Sequence, residues 1–309
     1  MNKNDKILIL GARGMVGSAI NRILTKDNYQ NILCPTSKEL NLLNQSETQS
    51  YFEKNKPNHV ILAAAKVGGI HANNTYKADF IFQNLEIQNN SFSAAFKNDV
   101  DKFLFLGSSC IYPKNCPQPI KEEYLLTGEL EPTNEPYAIA KIAGLKMAEA
   151  FKNQYGRNFY SVMPTNLYGE NDNYHLENSH VIPGLIARMK KAIDNNETEF
   201  KIWGSGKPRR EFLYVDDMAR ACIHVLTTKE PLPGSHINVG CGEDISIGEL
   251  AQMIARLMNY KGKLVQDTSQ PDGMMKKLLD VSKIKNLGWK PEVTLEEGLK
   301  KSINGYAGT

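Results

Sequence analysis

Tyr137 and Lys141 lie four residues apart, a spacing that puts both side chains on one face of a helix. The stretch 137–155 is rich in alanine and other good helix formers, so we expect a helix there. A free tyrosine, with a pKa of about 10, exchanges protons poorly at neutral pH, but a nearby ammonium favours the phenolate and lowers that pKa. Tyr137 is therefore a candidate acid–base group for an alcohol or sugar oxygen. Ser108, which follows an apolar run, supplies a further hydroxyl.

Three glycines, Gly11, Gly14 and Gly17, form a GxxGxxG pattern directly after the apolar run 7–10. A helix-like segment follows at once. Glycine at such positions permits a tight turn and lets the backbone approach a pyrophosphate at the helix N-terminus. The strand–loop–helix context favours this interpretation over an ordinary tight turn. The pattern therefore predicts a dinucleotide site.

The residues after the second predicted strand bear on which dinucleotide binds. NAD sites usually place an acidic residue there, and this sequence has Ser37, Lys38 and Glu39. Ser37 and Lys38 could face a 2′-phosphate, and Arg13 in the glycine loop could cap it. Glu39 keeps NAD as an alternative. We expect NADP, with NADPH as the reductant.

Short apolar runs alternate with longer amphipathic stretches along the first half of the chain. This alternation predicts an α/β fold, a Rossmann-type doubly wound parallel sheet with a smaller discontinuous α/β substrate domain. We expect residues 1–165 plus about 212–242 in the nucleotide domain, and about 166–211 plus 243–309 in the substrate domain. The individual elements are predicted as strands at 7–10, 32–34, 59–64, 102–106, 158–162, 212–215 and 237–239, helices at 17–26, 46–56, 76–97, 137–155 and 181–193, a loop-like stretch at 166–179, and helix-capping boxes at 246–249 and 294–297.

The composition narrows the function class. The 309 residues carry 37 Lys and Arg against 34 Asp and Glu, a net charge of +3 that no stretch concentrates, so a nucleic-acid partner is not indicated. The apolar runs are too short for a signal peptide or a membrane span, which predicts a cytoplasmic protein without a membrane partner. The five cysteines are odd in number, widely spaced and without CxxC, so neither a disulfide framework nor a zinc site is indicated, and we expect no metal.

Longer segments carry a more specific signal. The chain resembles the extended short-chain dehydrogenases/reductases that act on nucleotide sugars, and among them most closely the GDP-L-fucose synthase family. The matching segments span nearly the whole chain. They are 11–19, 63–70, 72–76, 104–113, 131–144, 161–169, 178–183, 203–206, 210–213 and 272–280.

The resemblance implies two activities in one site, converting GDP-4-keto-6-deoxy-D-mannose to GDP-L-fucose. C3 and C5 are epimerised first, with Cys110 as base and His180 as acid. NADPH then delivers hydride to C4, and Tyr137 protonates the oxygen. A thiol with a pKa near 8.5 and an imidazole with a pKa near 6.5 can both exchange protons near neutrality. Without the resemblance, Cys110 is an ordinary small buried residue and His180 an ordinary loop residue.

The resemblance also implies the binding contacts. Lys141 is expected to hold the nicotinamide ribose, and Ser108 to bind the sugar carbonyl oxygen together with Tyr137. The remaining cofactor contacts are expected at Gly11, Ala12, Arg13, Gly14, Met15, Val16, Gly17, Ser37, Lys38, Leu106, Gly107, Ser108, Ser109, Pro164, Thr165, Asn166, Leu167 and His180.

For the GDP-sugar, the resemblance implies Arg188, Trp203, Arg210, Asp272 and Lys277. An arginine fork or a lysine suits a diphosphate, and an indole suits a nucleotide base. Each has an ordinary alternative: Trp203 a core aromatic, Arg188 a solvated helix charge, and Asp272 part of a turn.

Several alternatives stay open. Some relatives carry a second arginine where this chain has Ser37, which weakens the NADP prediction. A 4-epimerase or 4,6-dehydratase that retains its nicotinamide is a second function, although a dehydratase often has an Asp–Glu pair where Cys110 and Ile111 stand. The enzyme could also reduce or epimerise a related GDP-4-keto-sugar, a dideoxy sugar or a heptose.

A binding protein on an inactive scaffold is disfavoured, because such chains usually lose the tyrosine or the lysine. Relatives pair the helices at 76–97 and 137–155 across a two-fold axis. We therefore expect a homodimer, although these apolar faces could equally pack within one chain.

Overall fold

The computed structural model describes residues 1–176, 179–230, 232–269 and 272–307. Asn178, in one of the segments that carry the resemblance, lies outside them. The strands are β1 (Lys6–Leu10), β2 (Asn31–Leu33), β3 (His59–Leu62), β4 (Lys102–Leu106), β5 (Asn158–Pro164), β6 (Asn166–Tyr168), β7 (Glu199–Trp203), β8 (Arg209–Arg210), β9 (Phe212–Tyr214), β10 (Ile237–Val239), β11 (Ile245–Ser246), β12 (Lys263–Asp267) and β13 (Lys276–Lys277).

The helices are α1 (Met15–Lys26), α2 (Gln45–Asn55), α3 (Ile70–Thr75), α4 (Lys77–Lys97), α5 (Glu135–Tyr155), α6 (Val181–Asp194), α7 (Val215–Thr227), α8 (Ile247–Leu257), α9 (Ser282–Asn286) and α10 (Leu295–Ala307). Short 3₁₀ turns lie at Ser109–Ile111 and Glu122–Tyr124. Within the described ranges, none of the helices combines the length and the apolar character needed to cross a bilayer.

A six-stranded parallel sheet forms the centre, in the order β10-β5-β4-β3-β1-β2. Apart from the edge strand β2, which is only partly buried, its strands are buried on both faces, as parallel strands usually are. In β1, Ile7 and Ile9 point into one hydrophobic cluster, and Leu8 and Leu10 into another, following the period of two of a strand. The prediction of a doubly wound α/β fold is confirmed.

Helices cover both faces of this sheet. On one face, α1 packs against α7, and their buried residues include Ile20 and Met218. On the other face, α2, α4 and α5 surround a set of aromatic rings. Phe92 of α4 stacks on Phe103 of β4, with ring centroids 4.4 Å apart. These layers leave the carboxyl ends of the strands open, which is where ligands bind in folds of this kind.

A third hydrophobic cluster lies apart from the two that flank the sheet. It joins α6, β7, α8 and α10 through residues such as Ile186, Phe200, Ile254 and Leu299. Both predicted capping boxes are present: Ser246 and Glu249 bond reciprocally at the start of α8, and Thr294 and Glu297 at the start of α10. The predicted division into two domains stays a prediction. Leu279 and Trp289, close to the C-terminus, pack in the cluster of the central sheet.

The loop-like prediction for 166–179 is wrong at its start. Asn166–Tyr168 is strand β6, which pairs in parallel with β9. That pairing joins residues more than 40 positions apart and leaves no local pattern. For the same reason no local pattern predicts the parallel pair β7 and β12. Helix α7, which follows β9 directly, was also not predicted.

Helices α4 and α5 pack on each other within the chain. The rings of Phe92 and Phe151 stack between them, with centroids 6.2 Å apart. Their apolar faces therefore meet at least partly inside one copy. Phe82, on α4, remains 63% exposed. Pairing of these helices across a dimer axis stays a prediction.

Candidate active site

The glycine turn between β1 and α1 is shaped by close backbone approach. Gly11 has φ +87°, and a Cβ on it would lie 2.6 Å from the amide nitrogen of Ala64. A Cβ on Gly17 would lie 2.2 Å from the carbonyl oxygen of Gly11. Gly14 differs, because its nearest neighbour would be 3.5 Å away. Gly11 and Gly17 are thus fixed by the fold itself, whereas the space at Gly14 is open to a ligand.

The N-terminus of α1 fits an anionic group. Gly14 is its N-cap and offers no side-chain hydrogen bond, and the first turn carries no acidic residue. The amide groups at a helix start and the helix dipole favour negative charge there. Ala12 is buried beside the turn, while Met15 and Val16 of the first turn are partly buried. The described residues therefore form a cradle that suits the pyrophosphate of a dinucleotide.

Glu39 forms a hydrogen bond within the turn that follows β2. Its Oε2 accepts a hydrogen bond from the amide of Thr36 at 2.8 Å. This bond, helped by the nearby charge of Arg13, lowers the pKa of the Glu39 carboxyl. Ser37 and Lys38 are exposed in the same turn. Glu39 thus stabilises its own turn beside an arginine.

Ser108 and Cys110 follow the carboxyl end of β4, which ends in Leu106 and leads through Gly107. Ser108 is the N-cap of the 3₁₀ turn Ser109–Ile111, and its Oγ accepts a hydrogen bond from the amide of Cys110 at 3.3 Å. Cys110 is 8% exposed. Burial raises the pKa of its thiol, and Lys277, Ser108 and Lys141 partly offset this. The turn therefore holds a buried thiol close to two lysines.

Tyr137 and Lys141 come together on α5, as their spacing predicts. The Nζ of Lys141 lies 5.7 Å from the centroid of the Tyr137 ring and donates a hydrogen bond to the carbonyl oxygen of Leu106 at 2.8 Å. Lys141 is 4% exposed. Burial lowers its pKa to about 8, against a smaller opposing effect of Cys110.

The expected lowering of the pKa of Tyr137 is not found. Burial raises the pKa of this phenol, and the neighbouring Cys110 adds to the rise. Desolvation disfavours the phenolate more than Lys141 favours it. Tyr137 is consequently a protonated phenol at neutral pH, a state that suits a proton donor.

His180 is the N-cap residue of α6, and its side chain is exposed. The surrounding protein lowers the pKa of its imidazole by desolvation. Its backbone carbonyl accepts the first helical hydrogen bond, from Gly184. That its imidazole faces Cys110 stays a prediction.

The segment Pro164 to Leu167 runs from the end of β5 into β6. The amide of Thr165 bonds the carbonyl of Val239 in the neighbouring strand at 2.9 Å. The side chains of Thr165 and Asn166 both donate to the carbonyl oxygen of Glu211, at 3.3 and 2.8 Å. This places the segment at the open end of the sheet, held from behind by β9.

Arg188 of α6 and Trp203, the last residue of β7, are in contact. The guanidinium of Arg188 lies 4.3 Å from the centroid of the Trp203 ring, and its Nη1 donates to the carbonyl of Lys201 at 3.2 Å. Burial lowers the pKa of Arg188. Trp203 is 52% exposed, which excludes the core-aromatic alternative. Because Arg188 is partly buried, the solvated-charge alternative does not hold for it either.

Arg210 and Lys277 are direct neighbours in the parallel pair β8 and β13. Nη1 of Arg210 donates to the carbonyl of Arg209 at 2.8 Å. Burial lowers the pKa of both side chains. Within the described part of the chain, neither they nor Arg188 form an ion pair with an acidic side chain. Three partly desolvated cations that form no direct ion pair with an acidic side chain in the described residues are typical of a site for a polyanion.

Asp272 behaves as the turn alternative predicts. Its two carboxylate oxygens accept hydrogen bonds from the amide and the hydroxyl of Ser205, at 2.9 and 2.6 Å. The side chain thus ties the loop after β7 to the segment before β13. A contact of Asp272 with a ligand stays a prediction.

One buried group was not predicted. Glu211 has no exposed surface and lies between Arg210 and Phe212. The sequence did hold a signal, since this acidic residue stands between a candidate ligand-binding arginine and the apolar run 212–215. Local periodicity alone does not show that this carboxylate is buried.

Comparison with known proteins agrees with this geometry. Residues 7–240 match the NAD dependent epimerase/dehydratase family. The chain is 55% identical to the GDP-L-fucose synthase of Escherichia coli (strain K12) over 98% of this chain and 96% of that protein.

Two solved structures are also similar. A GDP-D-glycero-L-gluco-heptose synthase from Campylobacter jejuni, solved in the presence of NADPH, is 35% identical, with a TM-score of 0.92 over 100% of this chain and 99% of that one. A GDP-L-fucose synthetase from Naegleria fowleri, bound to NADP, is 32% identical, with a TM-score of 0.90 over 100% and 94%. The chain belongs to the NAD dependent epimerase/dehydratase family.

Proposed function

We propose that this member of the epimerase/dehydratase family makes GDP-L-fucose from GDP-4-keto-6-deoxy-D-mannose, by epimerising C3 and C5 and then reducing C4. The observation that carries the proposal is the juxtaposition of a buried thiol, Cys110, with the Tyr137–Lys141 pair. A simple reductase needs the tyrosine and the lysine but has no use for a second proton-transferring group beside them. The 55% identity to a GDP-L-fucose synthase along nearly the whole chain supports the same substrate.

The cofactor is NADP. The cradle of Gly11, Gly14 and Gly17 at the start of α1 would hold its pyrophosphate, and Arg13, Ser37 and Lys38 would meet the 2′-phosphate. Lys141 would hold the nicotinamide ribose. When bound, NADPH supplies the hydride for C4.

Epimerisation is assigned to Cys110 and His180. C3 and C5 both flank the C4 carbonyl, so hydrogen bonds to that oxygen serve proton removal at either carbon. Ser108 and the protonated Tyr137 are the donors for it. Cys110 removes the proton on one face, with Lys277 and Lys141 stabilising the thiolate. His180 returns a proton on the other face.

Reduction is assigned to Tyr137 and Lys141. The raised pKa of Tyr137 keeps its proton in place until negative charge develops on the C4 oxygen, and the phenol then donates it. The hydrogen bond from Lys141 to Leu106 fixes the ammonium against the end of β4. Both groups stand on one rigid helix, which keeps their separation constant.

Binding of the GDP-sugar diphosphate is assigned to the three cations that form no ion pair with an acid in the described residues. Arg210 and Lys277 would bind the diphosphate, and Arg188 would join them from α6. The exposed Trp203 ring, backed by Arg188, would pack against the base.

Incubation with GDP-4-keto-6-deoxy-D-mannose and NADPH in deuterated water tests the proposal. Deuterium is expected at C3 and C5 of the product while NADPH is consumed, as followed by mass spectrometry, NMR and absorbance at 340 nm. NADPH consumption without deuterium at these carbons would reduce the enzyme to a C4 reductase.

Two variants separate the stages. Cys110→Ser is expected to block deuterium exchange far more than reduction of an already epimerised intermediate. Tyr137→Phe is expected to spare exchange more than reduction, which should slow by about 10²–10⁴-fold; Ser108 still donates to the C4 oxygen during exchange. Equal loss of both stages in Cys110→Ser would remove the thiol from its role as base.

A related GDP-4-keto-heptose is the second candidate substrate, because the heptose synthase from Campylobacter jejuni superposes along the whole chain. Parallel assays with the 6-deoxy-hexose and the heptose decide between them. A higher kcat/KM for the heptose would replace the first proposal.

A further inference from the structure

Glu211 is a buried carboxylate that the proposed mechanism does not use. It has no exposed surface, and it follows Arg210 directly in the chain. Burying a carboxylate is costly unless hydrogen bonds compensate for the lost water. Its contacts therefore indicate what the position does.

The side chain holds two segments that border the predicted sugar site. Its Oε1 accepts a hydrogen bond from the amide of Gly242 at 2.6 Å, and its Oε2 accepts one from the amide of Leu279 at 3.0 Å. The carboxylate also fills the space where a side chain at position 240 would go, since a Cβ on Gly240 would lie 2.2 Å from Oε1. It thus ties the segment after β10 to the segment that follows β13.

The backbone of the same residue faces the other half of the site. Its carbonyl oxygen accepts from the side chains of Asn166 and Thr165, which belong to the predicted cofactor contacts. Its amide donates to the carbonyl of Lys277 at 3.3 Å. Glu211 therefore contacts the cofactor half through its carbonyl and the strand of Lys277 through both its amide and its carboxylate.

We propose that Glu211 is a positioning residue that fixes the strand of Lys277 beside Arg210 at the spacing a GDP-sugar diphosphate needs. The proposal rests on the proposed function, which assigns the diphosphate to these two cations. Glu211 does not touch the substrate in this scheme. It acts by holding residues 277–279 against residues 240–242.

Asp217 provides a matched comparison. It is also fully buried, and its two oxygens accept from the amides of Glu292 and Val293 at 2.8 and 3.0 Å. Unlike Glu211, it also forms an ion pair with Arg220. Asp217, on α7, thus resembles Glu211 in accepting from two backbone amides of a distant segment, but it does so away from Arg210 and Lys277. A general loss of stability from a damaged buried carboxylate is expected in both places.

The test compares Glu211→Gln with Asp217→Asn in the full chain. In each variant the new amide group turns an NH₂ toward one of the two backbone donors. We expect GDP, measured by titration calorimetry, to bind about tenfold more weakly to Glu211→Gln. NADPH affinity, measured by fluorescence, is expected to change by less than about twofold, because the carbonyl contacts to Thr165 and Asn166 remain. Asp217→Asn is expected to lose thermal stability and to keep both affinities.

A second variant covers the case in which Glu211→Gln does not fold. Glu211→Asp keeps the charge, but its shorter side chain cannot reach both amides, so GDP affinity is again expected to fall while NADPH affinity is kept. Unchanged GDP affinity in a folded Glu211 variant would overturn the positioning role alone, as would an equal loss in Asp217→Asn. Failure of the parent chain to bind GDP would instead overturn the assignment of Arg210 and Lys277, and this proposal with it.

Discussion

The two sides of the proposed site are built from different materials. On the cofactor side, backbone amides and glycines form the predicted pyrophosphate site, and Gly11 and Gly17 have no room for a side chain. On the sugar side, the groups are long side chains with pKa values lowered by burial. Arg210 and Lys277 are neighbours on β8 and β13, and Arg188 stands on α6 against Trp203. The backbone-built side is therefore intolerant of added atoms, and the side-chain-built side is intolerant of lost charge.

The largest effect is expected on the backbone-built side. Gly17→Ala places a Cβ 2.2 Å from the Gly11 carbonyl, so the turn must open. We expect a loss of about 2–3 kcal/mol in the free energy of unfolding and about hundredfold weaker NADPH binding. Urea unfolding and fluorescence titration measure both. Gly14→Ala is the control: its Cβ has no neighbour closer than 3.5 Å, so its stability in the absence of ligand should be unchanged. Equal destabilisation by both variants would contradict the contrast between the two glycines.

On the sugar side, two adjacent arginines allow a sharp test of the role of free charge. Arg209 forms ion pairs with Asp244 and Glu249, whereas Arg210 bonds a backbone carbonyl and no acid in the described residues. Arg210→Ala should weaken GDP binding by about 2 kcal/mol, or about thirtyfold, as measured by calorimetry. Arg209→Ala should change that affinity little. If the two variants lost GDP affinity equally, the absence of an acidic partner would not explain why Arg210 binds the diphosphate.

The next largest effect is the dependence of stability and of reduction on pH, which the pKa of Lys141 predicts. Its pKa of about 8 in the folded chain lies below the ordinary 10.5, so the native state binds this proton more weakly than the unfolded state. The charged form therefore costs stability below pH 8, and this cost is relieved as the pH rises from about 8 toward 10.5. Reduction, which uses the ammonium, should fall as the pH rises through about 8. Lys141→Met should lose the stability trend in urea unfolding between pH 7 and 10. An unchanged trend would show that another group titrates there.

The smallest effect is expected at Glu39. Its carboxylate is exposed and bonds only its own turn at Thr36 among the contacts described. Glu39→Gln should change the ratio of NADPH to NADH affinity by less than about twofold, because an exposed charge contributes little. Lys38→Gln, on the 2′-phosphate side, should lower the ratio more. If Glu39→Gln instead weakened NADH binding strongly and left NADPH binding unchanged, the carboxylate would bind the ribose hydroxyls of NADH.

The same contrast explains what the sequence could predict. The glycine turn, the strands β1, β3 and β4, and the Tyr137–Lys141 pair are local patterns that follow from steric and periodic rules within a few residues. The pairing of β6 with β9 joins distant segments, and no local rule shows it. The prediction that Lys141 lowers the pKa of Tyr137 is wrong for a related reason. Burial of the phenol depends on the whole fold, and its effect on the pKa outweighs that of a lysine four residues away.

For the sugar side, residue chemistry alone was insufficient. Nothing in the spacing of Arg188, Trp203, Arg210 and Lys277 brings them together, and only the family resemblance named them. Glu211 was not predicted, because its role depends on its hydrogen bonds to Gly242 and Leu279, which lie tens of residues away in the sequence. Sites made of converging side chains thus need a fold or a family before they can be identified.

The two tryptophans give the chain a built-in optical probe. Trp203 is 52% exposed beneath the Arg188 guanidinium, while Trp289 is 6% exposed in the cluster of the central sheet. A soluble quencher such as iodide reaches the first indole and is kept from the second. The quenchable part of the emission therefore follows events at the sugar side, and the protected part follows unfolding of the core. One spectrum separates ligand capture from loss of structure without any added label.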